Sequence, residues 1–362
     1  MQICSSHSRS RIIQTQNDES GRQAASLVVG GSICVSVIIP ALNEEAMIGR
    51  CLGSLIGSKC PTDGFEVILV DNGSTDHTLE VARSFSGHLN LTILQRPCIN
   101  ISGLRNEGAA AAKGEILAFL DADCLVPSDW IVNACCHLSS EGAGVIGGNI
   151  DIPGESRWVA RAWYGIGYAP RDGEVTYVPS GNMLMRRSSF RRIGGFDESL
   201  KTSEDCELCF RAKESGMTVR AIGEMAVIHV RTPQTLTQFY LRERWHGTHV
   251  VKVFLANIKA RPNLRAVVFA FYMLVCGAVT TIGLVLALFF GQYVALSIGV
   301  GGVITVPLLC SVRKLRAVRG KKYWATLIPL TVLHMVWGFA RARALLSFRT
   351  FYHRATAPES GT

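Results

Sequence analysis

Two carboxylates separated by one alanine, Asp121 and Asp123, are the clearest candidates for chemistry in this sequence. Carboxylate oxygens are ligands that Mg²⁺ and Mn²⁺ prefer in proteins, and diphosphate oxygens can fill the remaining coordination positions. A divalent cation held by this pair would neutralise a departing nucleotide diphosphate. An acid-X-acid sequence is weak evidence by itself, so the prediction depends on where the chain places it.

Short apolar runs alternate with helical segments from Val35 onward, which is typical of a parallel sheet covered by helices on both faces. Ligands of such open sheets collect at the carboxyl ends of the strands. We therefore expect the polar residues that follow these runs to lie together at one edge. The predicted strands cover 35–39, 67–70, 91–94 and 116–120, and the residues that follow them are Asn43, Glu44, Asp71, Asp121 and Asp123.

The chain of 362 residues is longer than one hydrophobic core usually supports, and its composition changes near residue 266. Two long apolar segments there, 266–290 and 293–311, could each cross a hydrocarbon core, which needs roughly 20 residues. Basic residues flank them on the outside, whereas the connection between them is uncharged. The positive-inside rule then predicts an integral membrane protein of the plasma (inner) membrane, with its N-terminal domain in the cytoplasm.

A third apolar segment, 323–340, is shorter and contains Pro329 and His334. A full crossing would export the basic residues from Arg341 onward, which conflicts with the positive-inside rule. Three spans are the preferred prediction, and a re-entrant or interfacial third segment is the alternative.

The formal net charge of +9 lies largely beside the apolar segments, which favours a membrane surface over nucleic acid as a partner. The twelve cysteines show no spacing typical of a disulfide framework, so we expect a reducing environment. Cys206 and Cys209 form one CxxC sequence, which we interpret as two small residues on a helix face. The predicted organisation is a disordered tail (1–33), a catalytic domain (34–232), an amphipathic interfacial helical linker (233–265), a transmembrane region (266–340) and a basic C-terminal tail (341–362).

Four sequence segments resemble, in order and spacing, the motif set of glycosyltransferase family 2. The resemblance covers about Val35 to His229 and implies a GT-A fold, which is a Rossmann-like α/β sheet that binds nucleotide sugars. It also implies an inverting reaction, and here a C-terminal α-helical membrane region would follow the catalytic domain. The segments are VSVIIPALNEE, VILVDNGSTDHT, GLRNEGAAAAKGEILAFLDAD and SGNMLMRRSSFRRIGGFDESLKTSEDCELCFR.

The resemblance assigns donor-binding roles to residues in several motifs. Asp71 matches the aspartate that reads the base, and Asn72 stands where many relatives have a second aspartate. Gly181 and Asn182 resemble a turn on the acceptor side, although an ordinary turn is an equal alternative. The complete set matched to donor binding is Pro40, Asn43, Glu44, Asp71, Arg105, Asn106, Asp121, Gly181 and Asn182.

The resemblance also identifies a cation site and a base. Asp121 and Asp123 match the metal-binding motif for Mg²⁺ or Mn²⁺, with Asp123 as the more direct ligand. His229 could reach the metal or the diphosphate, or it could be a structural histidine at a strand end. Asp205 matches the general base that takes the proton of the acceptor hydroxyl, and Glu204 supports its geometry. The alternative is a helix start in which Ser203 is the cap and the two acids complement the helix dipole.

Arg244 and Trp245 resemble part of the QxxRW signature of processive polysaccharide synthases, but Leu241 occupies the glutamine position. This departure favours transfer of a single sugar. The helix predicted after Pro233 could lie at the membrane interface or close the catalytic domain, and Arg242 and Arg244 could face a lipid diphosphate.

The function hypothesis is transfer of one sugar from a nucleotide-diphosphate sugar to a lipid-linked or membrane-proximal acceptor, in polysaccharide or glycolipid biosynthesis. The alternatives are a membrane scaffold that binds nucleotide sugar without turnover and a nucleotidyltransferase. The second alternative would need a basic, glycine-rich loop after the first strand, where this chain has the acidic sequence PALNEE.

Overall fold

The computed structural model describes residues 15–17, 23–25, 34–60, 64–139, 144–165, 172–256, 264–317 and 321–355. Its strands are β1 (Thr15–Asn17), β2 (Gln23–Ala25), β3 (Val35–Ala41), β4 (Phe65–Asp71), β5 (Leu91–Gln95), β6 (Ile116–Leu120), β7 (Cys124–Leu125), β8 (Val145–Asp151), β9 (Gly173–Glu174), β10 (Asn182–Arg186) and β11 (Val219–His229). Its helices are α1 (Ile48–Ile56), α2 (Thr78–Arg83), α3 (Ile101–Ala111), α4 (Trp130–Ser139), α5 (Trp158–Trp163), α6 (Arg187–Arg192), α7 (Glu204–Glu214), α8 (Leu236–His246), α9 (Val250–Ala256), α10 (Leu264–Phe290), α11 (Val294–Ala317) and α12 (Leu327–Ala355), with a 3-10 helix at Lys321–Thr326.

The described residues form a nine-stranded mixed sheet with the main order β5-β4-β3-β6-β10-β8-β11-β7. The four strands predicted from apolar runs are β3, β4, β5 and β6, and they are parallel neighbours. Beyond β6 the sheet becomes mixed, because β10 pairs antiparallel with both β6 and β8, while β11 runs parallel to β8. β9 and the two-residue β7 each pair antiparallel with β11.

The central strands are apolar on both faces because helices cover both faces. On one face Leu52 of α1 and Trp130 of α4 belong to the same buried cluster as Val37 of β3. On the other face Leu104 of α3 and Leu208 of α7 are buried with Ile38 of β3. Each fully buried side chain of this size contributes roughly 1.5–3 kcal/mol relative to the exposed state. This packing fixes the carboxyl edge of the sheet, where the candidate site lies.

The predicted N-terminal tail falls mostly outside the described residues. Within it, β1 and β2 pair antiparallel, with Thr15 opposite Ala25. The C-terminal residues 356–362 also lie outside the described residues.

Three described helices are long and apolar enough to cross a membrane: Leu264–Phe290, Val294–Ala317 and the stretch Trp324–Leu346. The first two form a close antiparallel pair, since a Cβ atom at Gly299 would lie 2.7 Å from the Cα atom of Thr280. α12 packs on both, because Phe269 contacts the Trp337 ring and Ser311 hydrogen-bonds to His334. The three helices therefore form one bundle.

α12 also packs against the catalytic domain. Leu333 is buried together with Val159 of α5 and Phe239 of α8. Arg341 donates a 2.8 Å hydrogen bond to the Glu243 carboxylate. α12 is helical to Ala355, so the predicted basic tail from Arg341 onward is wrong for residues 341–355, which continue the helix.

α8 is the helix predicted after Pro233, and it packs against the rest of the molecule as the domain-closing alternative predicts. It buries Phe239 and Glu243 toward α5 and α12, and it leaves Leu241 and Trp245 about half exposed, at 48% and 52%. One face thus joins the catalytic domain to the helical bundle, and the other offers apolar surface.

Candidate functional site

The carboxyl ends of β3 and β6 open into a cavity of about 540 Å³, here called the donor cavity. It is lined by residues from segments far apart in the sequence, as the topology predicts for an open sheet. Eight of the predicted site residues line it: Pro40, Glu44, Arg105, Asp121, Asp123, Glu204, Asp205 and His229.

Asp123 and His229 form a candidate cation site on one wall of this cavity. The antiparallel pairing of β7 with β11 places His229 opposite Cys124. The His229 Nε2 atom lies 3.5 Å from an Asp123 carboxylate oxygen, and potential ligand atoms of Asp123, Cys124 and His229 lie within 4.8 Å of one another. Sequence reasoning missed Cys124, although it directly follows the acid-X-acid motif.

The protonation states at this wall suit a cation. Burial and the nearby Asp121 carboxylate raise the pKa of Asp123, so a positive charge would relieve an unfavourable site. Burial lowers the pKa of His229, which keeps the imidazole neutral, and its buried Nδ1 atom has no hydrogen-bond partner among the described residues. Burial raises the pKa of the Cys124 thiol, so the protonated sulfur is the weakest of the three donors. One carboxylate and one neutral imidazole therefore fit a divalent cation.

Arg105 links the two acidic motifs. It is 2% exposed, and its guanidinium donates to the Asp121 carboxylate at 2.8 Å and to the Glu204 carboxylate at 2.9 Å. Glu204 also accepts a hydrogen bond from Ser180 at 3.0 Å. Arg105 and Ser180 thus hold the Glu204 carboxylate, and Arg105 holds the Asp121 carboxylate.

Asp205 begins α7 and lines the donor cavity. Its carboxylate accepts a 2.7 Å hydrogen bond from the Cys206 backbone N–H. Burial, reinforced by the negative charge of Glu204, raises the pKa of Asp205 to about 7. One part of the helix-start alternative is wrong, because Ser203 has a left-handed backbone (φ 66°) and its side chain makes no capping hydrogen bond. The other part stands beside the base role, since Glu204 and Asp205 both lie in the first turn of α7, where acids complement the helix dipole.

Glu44 lines the donor cavity near enough to Asp121 and Asp123 to interact with their charges. Its carboxylate forms a 2.9 Å ion pair with Arg231. Burial raises the pKa of Glu44 to about 7, because it outweighs the opposing effect of Arg231. Arg231 also lines the cavity, and sequence reasoning had not identified it.

Asn43, Asp71 and Asn106 do not line the cavity and instead shape its loops. Asp71 is fully buried and accepts hydrogen bonds from the backbone N–H groups of Gly73 and Ser74, while Asn72 lines the cavity. Asn43 accepts from the Thr75 backbone N–H. Asn106 accepts from the Phe196 backbone N–H at 2.9 Å and donates to the Phe196 carbonyl.

The predicted turn at Gly181 and Asn182 is also outside the cavity lining. Gly181 packs directly against the Asp121 side chain. Asn182 is fully buried, accepts from the Trp130 indole N–H at 3.0 Å and donates to the Met225 carbonyl at 2.8 Å. Both residues therefore pack beneath the cavity lining and do not face the cavity.

A second cavity of about 350 Å³, here called the bundle cavity, adjoins the donor cavity. The two share five lining residues: Ser203, Asp205, His229, Arg242 and His246. The bundle cavity extends to Ala266 in the first turn of α10 and to Trp337 and Arg341 of α12. Sequence reasoning missed the α12 residues, since they lie outside every motif.

Of the two arginines considered for a lipid diphosphate, only Arg242 faces these cavities. Its guanidinium lies over the Tyr164 ring at 5.6 Å from the centroid and donates to the Arg231 carbonyl at 3.2 Å. Arg244 is exposed and lines neither cavity.

Two family models match the chain. The model described as Glycosyl transferase family 2 matches residues 36–194, and the model described as Glycosyl transferase family group 2 matches residues 116–340, which is more than half of the chain. The chain belongs to glycosyltransferase family 2. The resemblance stated from the four motifs is thereby confirmed.

Curated relatives of this family 2 member include Glycosyltransferase AglE of Haloferax volcanii, which is 30% identical over 205 residues. That match covers 55% of this chain and 67% of AglE. The Beta-monoglucosyldiacylglycerol synthase of a Nostoc species is 25% identical over 224 residues, covering 58% of this chain and 48% of the relative. The chain thus spans between about half and two thirds of these two relatives.

The mannosyltransferase PcManGT from Pyrobaculum calidifontis, solved with GDP-Man and Mn²⁺, has a similar fold. The TM-score is 0.54 at 18% sequence identity, and the match covers 85% of this chain and 88% of that protein. The family 2 member therefore has the predicted GT-A fold, followed by a C-terminal helical region.

Proposed function

We propose that this family 2 member transfers one sugar, with inversion, from a nucleotide-diphosphate sugar to a lipid-linked or membrane-proximal acceptor in polysaccharide or glycolipid biosynthesis. The observation that carries the proposal is the position of Asp205, which lines both the donor cavity and the bundle cavity. A base in that position can meet an acceptor that enters from one cavity and a sugar that is held in the other.

The donor cavity suits a nucleotide sugar. Its polar lining combines carboxylates with the cations Arg231 and Arg242. A divalent cation held by Asp123 and His229, with Asp121 beside them, would supply positive charge for the leaving diphosphate. Arg105 keeps Asp121 in place, and Glu44, Arg231 and Asn72 border the same space.

Asp205 is suited to the base role. A carboxylate with a pKa of about 7 can accept a proton efficiently near neutral pH. As the acceptor oxygen attacks the anomeric carbon, its proton passes to Asp205 and the bond from that carbon to the diphosphate oxygen breaks. Attack from the side opposite the leaving group inverts the configuration, and the nucleoside diphosphate departs.

The bundle cavity suits an acceptor that is presented at a membrane surface. Ala266, in the first turn of the first candidate span, lines it, and Trp337 on its wall contacts Phe269 one turn further along α10. Trp163, Tyr164, Tyr177 and Trp337 offer aromatic surface next to Asp205. We place the catalytic domain on the cytoplasmic side, because the basic residues flank the two outer ends of the α10–α11 pair.

The donor half of the proposal is tested by thermal stabilisation of the full chain with nucleotide sugars, with and without Mn²⁺. A ligand present at 100 times its Kd adds about 2.7 kcal/mol of stability. We expect at least one common donor to stabilise the protein only with the cation. His229→Gln should remove the cation effect, whereas His137→Gln, a histidine paired with Glu224 on the surface, should retain it. Failure of every common donor contradicts the proposal.

The transfer half is tested by product analysis with a membrane lipid extract as acceptor source. We expect free nucleoside diphosphate and labelled sugar in the lipid fraction. Asp205→Asn should reduce turnover by about 10²–10⁴-fold, the usual contribution of a general base. Glu214→Gln, at the exposed end of the same helix, is the matched control. Release of pyrophosphate would indicate a nucleotidyltransferase, and donor binding with equally negligible turnover in both proteins would indicate a scaffold.

A further inference from the structure

A third cavity of about 390 Å³ lies between α5 and the 3-10 helix that precedes α12. Among its lining residues are Ser156, Arg157, Trp158 and Arg161 from the α5 segment and Thr326 and Pro329 from the α12 segment. None of these residues lines the donor cavity or the bundle cavity. The feature is therefore separate from the proposed reaction.

The charged side chains of this lining are both cationic. Arg157 and Arg161 are exposed, and the acidic neighbour Glu155 is not part of the lining. Arg161 donates one hydrogen bond, at 2.9 Å, to the Gly154 carbonyl, and the Arg157 side chain has no partner among the described residues. Two guanidinium groups with free donors at one cavity are complementary to a phosphate group.

A buried hydroxyl adds a second, independent observation. Ser156 is 4% exposed, and its Oγ atom has no hydrogen-bond partner within the described part of the chain. Leaving a buried hydroxyl without a partner costs free energy, and most such groups in folded proteins are satisfied. A ligand oxygen bound between α5 and α12 would supply the missing partner.

The position of the cavity identifies the source of that phosphate. α5 packs on α12 through Val159 and Leu333, and the Trp163 carbonyl accepts a 2.8 Å hydrogen bond from Lys314, near the end of α11. The cavity therefore lies where α11 ends and the third candidate span begins.

One tryptophan lines this cavity, and a second lies two residues before the lining residue Thr326. Trp158 is 47% exposed and Trp324, in the 3-10 helix, is 43% exposed. Exposed tryptophans at the ends of spans are typical of the headgroup layer, and basic clusters there attract anionic lipids. A free phosphate ion would make no favourable contact with the apolar lining residues Trp158, Ala162 and Pro329, whereas the apolar part of a lipid could.

We propose that this cavity binds the phosphate of an anionic phospholipid headgroup, held by Arg157, Arg161 and the Ser156 hydroxyl. The inference does not depend on the proposed sugar transfer. The bound lipid would connect α5 of the catalytic domain to the start of α12 and so set the domain against the membrane surface.

The test is native mass spectrometry of the full chain in a neutral detergent, titrated with phosphatidylglycerol or phosphatidylcholine of the same acyl chains. We expect phosphatidylglycerol to bind about tenfold more tightly than phosphatidylcholine. Arg157→Gln/Arg161→Gln should abolish this tenfold difference, because hydrogen bonds to charged groups are strong. Ser156→Ala should weaken phosphatidylglycerol binding about threefold, the effect of one hydrogen bond, without lowering the thermal midpoint of the lipid-free protein.

The charge-matched control is Arg191→Gln/Arg192→Gln, two exposed arginines on α6 that line none of the three cavities. It should keep the preference for phosphatidylglycerol. Equal binding of the two lipids, or an equal loss in the control, would overturn the proposal. Displacement of phosphatidylglycerol by millimolar inorganic phosphate would show a free-phosphate site and would overturn the lipid assignment.

Discussion

Gly181 lies so close to Asp121 that a Cβ atom added at Gly181 would overlap the Asp121 carboxylate, at 2.8 Å from its Cγ atom. This separation is far below van der Waals contact, and neither the Gly181 backbone nor the Asp121 side chain is free to move away. The Asp121 backbone N–H donates to the Gly181 carbonyl, and the Asp121 side chain is bound by Arg105. The glycine therefore determines where the first acid of the acid-X-acid motif can stand.

Gly181→Ala should displace the Asp121 carboxylate and impair the reaction more than it impairs folding. A displacement of about 1 Å in a reacting group can cost about 10²-fold in rate, whereas overpacking typically costs about 1–3 kcal/mol of stability. We expect turnover to fall by about 10–100-fold in a glycosyl-transfer assay. The control is Gly57→Ala, where a Cβ atom would meet nothing within 4 Å. Full activity of Gly181→Ala would show that the rate of transfer does not depend on this position of the Asp121 carboxylate.

Asp205 predicts the pH dependence of the rate. Its pKa is raised to about 7, and the proposed base acts only when deprotonated, so kcat/KM should rise through pH 7 and level off above it. The pKa of Glu44 is also raised to about 7, so Glu44→Gln is the necessary comparison and should keep this limb. If kcat/KM of Glu44→Gln no longer rises through pH 7, the titrating group is Glu44 and not Asp205.

The raised pKa of Asp205 also predicts that the stability of the protein depends on pH. A carboxyl whose pKa is higher in the folded than in the unfolded chain favours folding while protonated, and this contribution is lost as the pH rises through about 7. Asp205→Asn removes the buried negative charge. Its thermal midpoint should therefore exceed that of the natural protein at pH 8, and the difference should vanish near pH 4.

Arg105 should be essential for stability as well as activity. Arg105→Met would leave the Asp121 and Glu204 carboxylates without their shared cation, and removing one partner of a buried ion pair costs about 3–5 kcal/mol. Adding Glu204→Gln should recover part of the stability without recovering activity. Thermal unfolding measures both effects. Arg96→Met, which breaks an exposed pair with Glu107, is the control and should cost no more than about 1 kcal/mol.

The Glu243–Arg341 ion pair should hold α8 against α12. Its side chains are only 7% and 14% exposed, so Arg341→Met would leave the Glu243 carboxylate unneutralised in a buried position. We expect a clear fall in the thermal midpoint of the full chain and partial recovery when Glu243→Gln is added. The exposed Arg244→Met on the same helix is the control. Additive effects of the two single changes would show that the residues act independently.

Several features of this protein follow from local sequence alone. The apolar runs at 35–39 and 116–120 became β3 and β6, because a strand buried on both faces must be apolar throughout. The apolar segments near 266 and 293 became long helices, since such runs can satisfy their backbone hydrogen bonds internally. The acid-X-acid motif and the order of the four family segments are also local patterns.

The tertiary structure decided which of the predicted residues share the site. The pairing of β11 with β7 brings His229 beside Asp123, and no local pattern encodes contacts across a hundred residues. Asp71 and Asn182 match family motifs, yet neither lines the donor cavity. The Asp71 carboxylate accepts from the Gly73 backbone N–H, and the buried Asn182 amide donates to the Met225 carbonyl.

The packing of α12 on the catalytic domain could not be predicted from the sequence, which indicates only an apolar segment followed by a basic tail. The segment is a candidate span as predicted, but α5 and α8 bury one side of it, and Arg341 of the predicted tail pairs with the Glu243 carboxylate at the wall of the bundle cavity. The sequence determines which chemical group each residue carries. Its contact partners depend on tertiary packing, because segments far apart in the chain come together when they bury apolar surface.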